Sequence, residues 1–150
     1  MKYKQQVVLD IPFSTVIEIF ENPENLKKWQ PDVISFNHLS GTIGQPGAVS
    51  ELVVDMKIKQ IKLKETIQKR NLPAEFVLLY ETDGGSNTVT NRFNELGNNQ
   101  TQWIMENDYK FAGLLKYALL PMKAIFKKQT QVTMDRFKEF SENLANDNNV

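Results

Sequence analysis

The chain has 150 residues, 41% of them hydrophobic and 24% charged, which suits one globular domain with a sizeable core. Eighteen basic and eighteen acidic side chains cancel, so no net field draws the protein toward nucleic acid or an anionic membrane; such a partner needs a local patch. The absence of cysteine excludes disulfides, thiolate nucleophiles and cysteine-ligated zinc or iron–sulfur centres.

Lys2, Lys4, Asp10, Pro12 and Glu18 interrupt anything like a signal-peptide core in the opening segment. No apolar run long enough to span a bilayer follows, so integral membrane insertion is not expected and a cytoplasmic location is the default. Residues 2 to 10 alternate as a first strand, with Tyr3, Gln5, Val7 and Leu9 on one face. Asp10 and Pro12 then open a short helix with the apolar stripe Val16, Ile17 and Phe20. Asn22 and Pro23 form the cap and first turn of a second short helix, which buries Leu26 and Trp29 and stops at Pro31.

From Val33 the pattern changes to strands divided by turn residues, an antiparallel meander with no helical period. Between Ala48 and Ile58, Leu52, Val54, Met56 and Ile58 face one way, against Glu51, Asp55 and Lys57. After a turn near Lys59 and Gln60, the residues Ile61, Leu63, Glu65 and Ile67 repeat the pattern. Leu72-Pro73, Asp83-Gly84-Gly85-Ser86 and Gly97-Asn98-Asn99 mark the next connections. The last strand puts Thr101, Trp103, Met105, Asn107, Tyr109 and Phe111 on one broad aromatic face.

Phe111 to Leu144 reads as one long amphipathic helix. Leu115, Leu119, Met122, Phe126, Phe137, Phe140 and Leu144 share a side, with Lys116, Lys123, Lys127, Gln131, Lys138 and Glu142 opposite. At about 1.5 Å per residue its length, on the order of 50 Å, exceeds the width of such a domain, so it must lie across a sheet. Pro121 is placed to kink it. Residues 145–150, rich in asparagine, are expected to fray, and residues 1–150 form a single domain with no internal repeat or linker.

The order strand, two short helices, six strands, long helix carries a resemblance once particular residues are set on it. They are Pro12-Phe13 leading into Val16–Phe20, then Asn22-Pro23-Glu24-Asn25-Leu26 up to Trp29 and Pro31. Gly41, Gly44 and Gly47 follow before the third strand, then Glu65 in the fourth strand and the aromatic strand ending in Asp108-Tyr109. With these the chain resembles the START-like superfamily, also called birch-pollen-allergen-like or SRPBCC, and within it the polyketide cyclase/dehydrase and lipid-transport branch. The resemblance covers nearly the whole chain. It implies an α+β helix-grip fold: a curved seven-stranded antiparallel sheet wrapped around the C-terminal helix, with a hydrophobic cavity between them. Members include lipid carriers, metabolite binders, aromatase/cyclases and proteins acting on partner proteins, so the fold alone does not name an activity.

Glu65 is the sharpest candidate residue, since alternation sets a carboxylate among Ile61, Leu63 and Ile67. Burial raises a carboxyl pKa and makes a general acid, a base or a ligand anchor; the plainer alternative is a bond to a nearby Tyr or Asn, or water at the cavity mouth. Tyr80, Asn91, Asn107 and Tyr109 fall on inferred inner faces, where they either orient a ligand's polar group or satisfy one another. Gln129 and Thr133 interrupt the apolar side of the long helix between Phe126 and Phe137. Thr133 either meets a ligand oxygen or bonds a backbone carbonyl one turn earlier. Trp29, Met56, Trp103, Met105, Met122 and Phe126 line a cavity if sheet and helix stay apart and fill the core if they do not.

His38, the sole histidine, leaves no histidine metal cluster and reads as an ordinary edge-strand residue. Neither a metal nor another cofactor is expected. Lys57, Lys59, Lys62 and Lys64 form a basic cluster around one hairpin, which either meets phosphate or an anionic headgroup or is an ordinary solvated strand face; nucleic acid is not an expected partner. Gly41, Gly44 and Gly47 lack phosphate-loop spacing and read as turns.

The sequence therefore points to binding or transport of a small hydrophobic ligand, such as a lipid, isoprenoid, polyketide or aromatic metabolite. Entry is expected near Trp29 or the Gly41–Gly47 loop. Two alternatives stand beside it. One is a cyclase or dehydratase using Glu65 or a cavity tyrosine for proton transfer. The other is a protein-interaction module whose cavity is filled by side chains.

Overall fold

Alternation along Lys2–Leu9 (β1) buries Tyr3 and Leu9 and turns Lys2, Lys4 and Gln6 outward in the computed structural model, which describes residues 1–148. Two short helices follow, Phe13–Glu21 (α1) and Leu26–Trp29 (α2). Between them a tight helical turn starts at Pro23, where the Glu24 backbone N–H donates to Asn22 Oδ1 at 3.0 Å. Six strands come next: Val33–Ser40 (β2), Val49–Asp55 (β3), Gln60–Asn71 (β4), Glu75–Thr82 (β5), Gly85–Leu96 (β6) and Gln100–Phe111 (β7). Together with β1 they form one antiparallel sheet in the order β1-β7-β6-β5-β4-β3-β2. The short helices carry the chain from one edge of the sheet to the other, and the C-terminal helix lies across the concave face. This is the helix-grip architecture that the resemblance implies.

Three local differences from the sequence reading matter for the site. The strand expected to reach Ile58 ends at Asp55, because Lys57 takes a left-handed conformation (φ 69°) and the chain turns there. Ile58 therefore leaves the inner face and is 96% exposed, while Met56, just past the end of the strand, is 54% exposed at the edge of the inner face. The long helix is divided: Leu115–Leu119 (α3), a tight turn at Leu120–Met122 holding Pro121, then Lys123–Asn148 (α4). Proline lacks the N–H that a continuous helix would use at this point. None of the residues from Leu115 to Met122 is buried, so the first turns of the expected amphipathic helix touch the sheet only near Gly84 and the end of β7 and add nothing to the buried core. The C-terminal stretch, expected to fray from Ala145, is helical as far as Asn148 with Ala145 buried; Asn149 and Val150 lie outside the described residues.

The core fills only one end of the grip. Phe20, Trp29, Phe93, Trp103 and Phe137 form a block of rings, with Trp29–Phe137 at 5.0 Å, Trp103–Phe137 at 5.2 Å and Phe20–Trp103 at 5.5 Å between centroids. Trp103, Phe137, Met134 and Leu9 are fully enclosed there. A smaller cluster of Ala48, Ile67, Phe76, Leu78 and Val89 continues along the sheet. Polar contacts hold α4 to the edge strand β1. The Tyr3 hydroxyl lies 2.8 Å from Thr130 Oγ1, Gln5 Nε2 donates to Gln131 Oε1 at 3.2 Å, and Lys138 Nζ donates to the Val8 carbonyl at 2.7 Å. A helix fastened along one edge, and propped at its C-terminal half by the ring block, stands away from the middle of the sheet.

Candidate ligand-binding cavity

The space left between α4 and the inner faces of β3–β7 is a cavity of about 480 Å³, within the usual size of small-molecule pockets. Phe20 and Trp29 of the ring block close one end. Apolar side chains from the sheet, among them Leu52, Leu63, Leu78, Val89 and Met105, make most of the wall, and Phe126 bounds it from the helix. Met56, Leu115, Gln129 and Arg136 border the cavity and are also exposed, which sets its mouth between the β3–β4 tip and the helical layer. Trp29 lies on the wall as expected. The Gly41–Gly47 loop does not: it folds back onto β4, the Gly47 N–H donating to the Ile67 carbonyl at 2.7 Å.

Of the side chains singled out from the sequence, Trp29, Met56, Tyr80, Asn91, Met105, Tyr109, Phe126, Gln129 and Thr133 border this space. Glu65, Trp103, Asn107 and Met122 do not. Trp103 is enclosed in the ring block, where its indole N–H donates to Asn91 Oδ1 at 3.0 Å. Met122 lies in the exposed turn before α4, 38% accessible. Thr133 Oγ1 donates to the Gln129 carbonyl at 3.1 Å, the local bond open to a helical threonine. His38 sits on the edge strand β2, its Nε2 2.8 Å from the Gly41 carbonyl oxygen.

Strand register assembles a feature that no single strand reveals. Directly paired residues on neighbouring strands share a face. Ser50 pairs with Glu65, Glu65 with Tyr80, Tyr80 with Asn87 and Asn87 with Tyr109. A polar row thus crosses the largely apolar inner face, and Tyr80, Asn87 and Tyr109 of that row border the cavity. Burial raises the Glu65 pKa above the ordinary carboxyl value, and the Tyr80 hydroxyl beside it offsets part of the effect. Burial, then the charge of Glu65, pushes Tyr80 well above its usual value; burial and then Tyr3 do the same to Tyr109. Both tyrosines therefore stay protonated, Tyr80 beside Glu65 and Tyr109 beside Tyr3, rather than acting as bases.

The row is incompletely satisfied. Asn87 Nδ2 donates to Asn107 Oδ1 at 2.9 Å, which leaves Asn87 Oδ1 and Asn107 Nδ2 buried without partners. The indole N–H of Trp29, also on the wall, has none either. Unpaired buried polar atoms are costly, and the wall residues Asn87 and Trp29 bring one acceptor and one donor in that condition. Among the described residues no cluster of His, Asp or Glu is arranged to hold a metal ion.

No family model matches the sequence, and no curated protein matches it either. Solved structures do match the fold. The Zhui aromatase/cyclase from Streptomyces sp. R1128 superposes with a TM-score of 0.77 at 15% identity, over 95% of this chain and 93% of that one. A START superfamily protein from Mycobacterium smegmatis gives 0.76 at 13% identity, over 95% and 98%. The chain has the START-like helix-grip fold. Ara h 8.0201 shares this helix-grip fold too, with a TM-score of 0.73 at 9% identity over 94% of this chain and 97% of that one. Within the helix-grip cavity, sequence reasoning missed Asn87, Thr130 and Arg136. Asn87 was within reach: counting back along the hairpin from the Gly97-Asn98-Asn99 turn sets it opposite Tyr109. Arg136 lies three residues past Thr133 and seven past Gln129, so the helical period set it on the same side of α4; only its charge argued against a place on the cavity border.

Proposed function

We propose that the protein binds a small, largely apolar molecule bearing one or two polar groups, of the lipid, isoprenoid, polyketide or aromatic-metabolite kind. The observation that carries this reading is the cavity: a largely apolar wall crossed by a polar row that brings Tyr80, Asn87 and Tyr109 to its border. Apolar burial would supply the affinity, at about 25 cal/mol per Å² before ordering costs. Tyr80 and Tyr109, which border the cavity, would select the polar end. The helix-grip fold, shared with an aromatase/cyclase and a START superfamily protein, agrees with such a role without choosing a ligand.

A thermal-shift panel of fatty acids, isoprenoids and aromatic polyketides tests it. A true ligand at about 100 times its Kd adds roughly 2.7 kcal/mol of stability, about 5 °C or more for a domain of this size. Filling the cavity with Leu63→Trp should abolish the shift. A shift that survives this variant would move the binding site elsewhere.

Proton-transfer catalysis is the second reading, and the raised pKa of Glu65 is what favours it. Against it stands the position of Glu65, paired to Tyr80 but outside the cavity wall, with no base opposite. A Glu65→Gln variant that keeps ligand affinity but loses turnover would support catalysis.

A further inference from the structure

The mouth of the cavity carries a second feature that ligand binding does not use. Apolar side chains stand in solvent on both of its lips. On one lip, Leu114 is 83% exposed, Tyr117 66%, Leu120 47% and Ile125 61%; on the other, Met56 is 54% and Ile58 96% exposed. The two lips belong to one opening, since Met56 and Ile61 border the same cavity as Leu115 and Leu119. Scattered apolar residues are ordinary on a surface, but a contiguous apolar patch marks a contact with something else.

Charge says what that contact is. From Tyr109 to Met134 the chain holds Lys110, Lys116, Lys123, Lys127 and Lys128 and no acidic residue, in a protein whose basic and acidic side chains are equal in number overall. The opposite lip adds Lys57 and Lys59 against one carboxylate, Asp55, so it too is net basic. Among the described residues none of Lys116, Lys123, Lys127 and Lys128 forms an ion pair. A second copy docking by this same face would bring lysines against lysines. An anionic bilayer complements both parts, taking the apolar side chains below the headgroups and the lysines among them. No helix of the described chain is long and apolar enough to cross a membrane, so the contact would be peripheral.

We infer that the rim formed by α3, the turn through Pro121, the start of α4 and the β3–β4 tip is a docking surface for an anionic lipid membrane. Docking there turns the cavity mouth toward the bilayer. The inference does not depend on what occupies the cavity.

Flotation with vesicles tests it. The full chain is mixed with vesicles of phosphatidylcholine plus phosphatidylglycerol, or of phosphatidylcholine alone. The protein should float with the anionic vesicles, release as salt rises and stay behind with the neutral ones. Lys123→Glu/Lys127→Glu and, separately, Tyr117→Asp/Ile125→Asp should each weaken binding at least about tenfold. None of these four residues borders the cavity, so ligand-induced thermal shifts should persist. If the aspartate pair does not fold, Ile58→Asp is read in its place, at a side chain already in solvent. Failure to float with anionic vesicles, or flotation unchanged by the variants, would overturn the inference. So would a dimer in sedimentation that the same variants dissociate, which would make the rim a self-contact. Each of those results would leave the cavity reading standing.

Discussion

Glu65 carries a cost that its neighbours only partly offset. Its carboxyl pKa is raised in the folded chain by burial, so the native state holds its proton more tightly than the unfolded state does. Its contribution to stability is fully present below the ordinary carboxyl range and is lost as pH rises through the raised native value. Glu65→Gln keeps the shape and removes the charge. The variant should be more stable than the parent near neutral pH by on the order of 1 kcal/mol, with the gain vanishing in acid. Chemical denaturation at a series of pH values checks the sign, and a loss of stability at neutral pH would mean that the carboxylate is needed. At this scale the sequence was informative about direction and silent about distance. Alternation correctly turned Glu65, Tyr80, Asn91, Asn107 and Tyr109 to the concave side, because side-chain period along a strand is a local property. Whether each reaches the cavity depends on what stands in front of it. Trp103 shares a face with Tyr109, yet the ring of Phe137 covers one and leaves the other open.

Among elements, the hairpins were legible and the helix breaks only partly so. Turn residues fix register, and register builds the polar row. The β5–β6 connection depends on Gly85, whose φ of 147° favours glycine and whose added Cβ would strike the Lys110 carbonyl oxygen of β7. Gly85→Ala should cost about 1–3 kcal/mol and disturb the pairing that sets Asn87 beside Tyr109. Amide exchange should quicken at Ser86, Asn87 and Tyr109 first; uniform protection across β6 and β7 would show that the turn is not the anchor. The end of β3 and the packing of α3 were missed for a common reason. Met56, Ile58, Leu114 and Leu120 have the residue types of a core, and a pattern of apolar residues cannot say whether a protein interior or some other apolar medium receives them.

Across the whole molecule, the helix-grip arrangement divides into a packed half and a hollow half. Rings from α1, α2, β6, β7 and α4 fill the first, while the second stays open because α4 is fastened along β1 rather than pressed onto β3–β5. The succession of elements was readable in the chain, since each is encoded by its own period and turn residues. The gap between the layers was not, because it results from side chains distant in sequence meeting at one end and not at the other. A sheltered, mostly apolar space with a few polar side chains on one wall is what the proposed binding requires. The most direct measurement is native mass spectrometry of the gently purified protein, repeated after organic extraction. The expected result is a defined added mass that extraction removes and that Leu63→Trp does not acquire. A bare polypeptide mass in every preparation, with no thermal shift across the ligand panel, would contradict it.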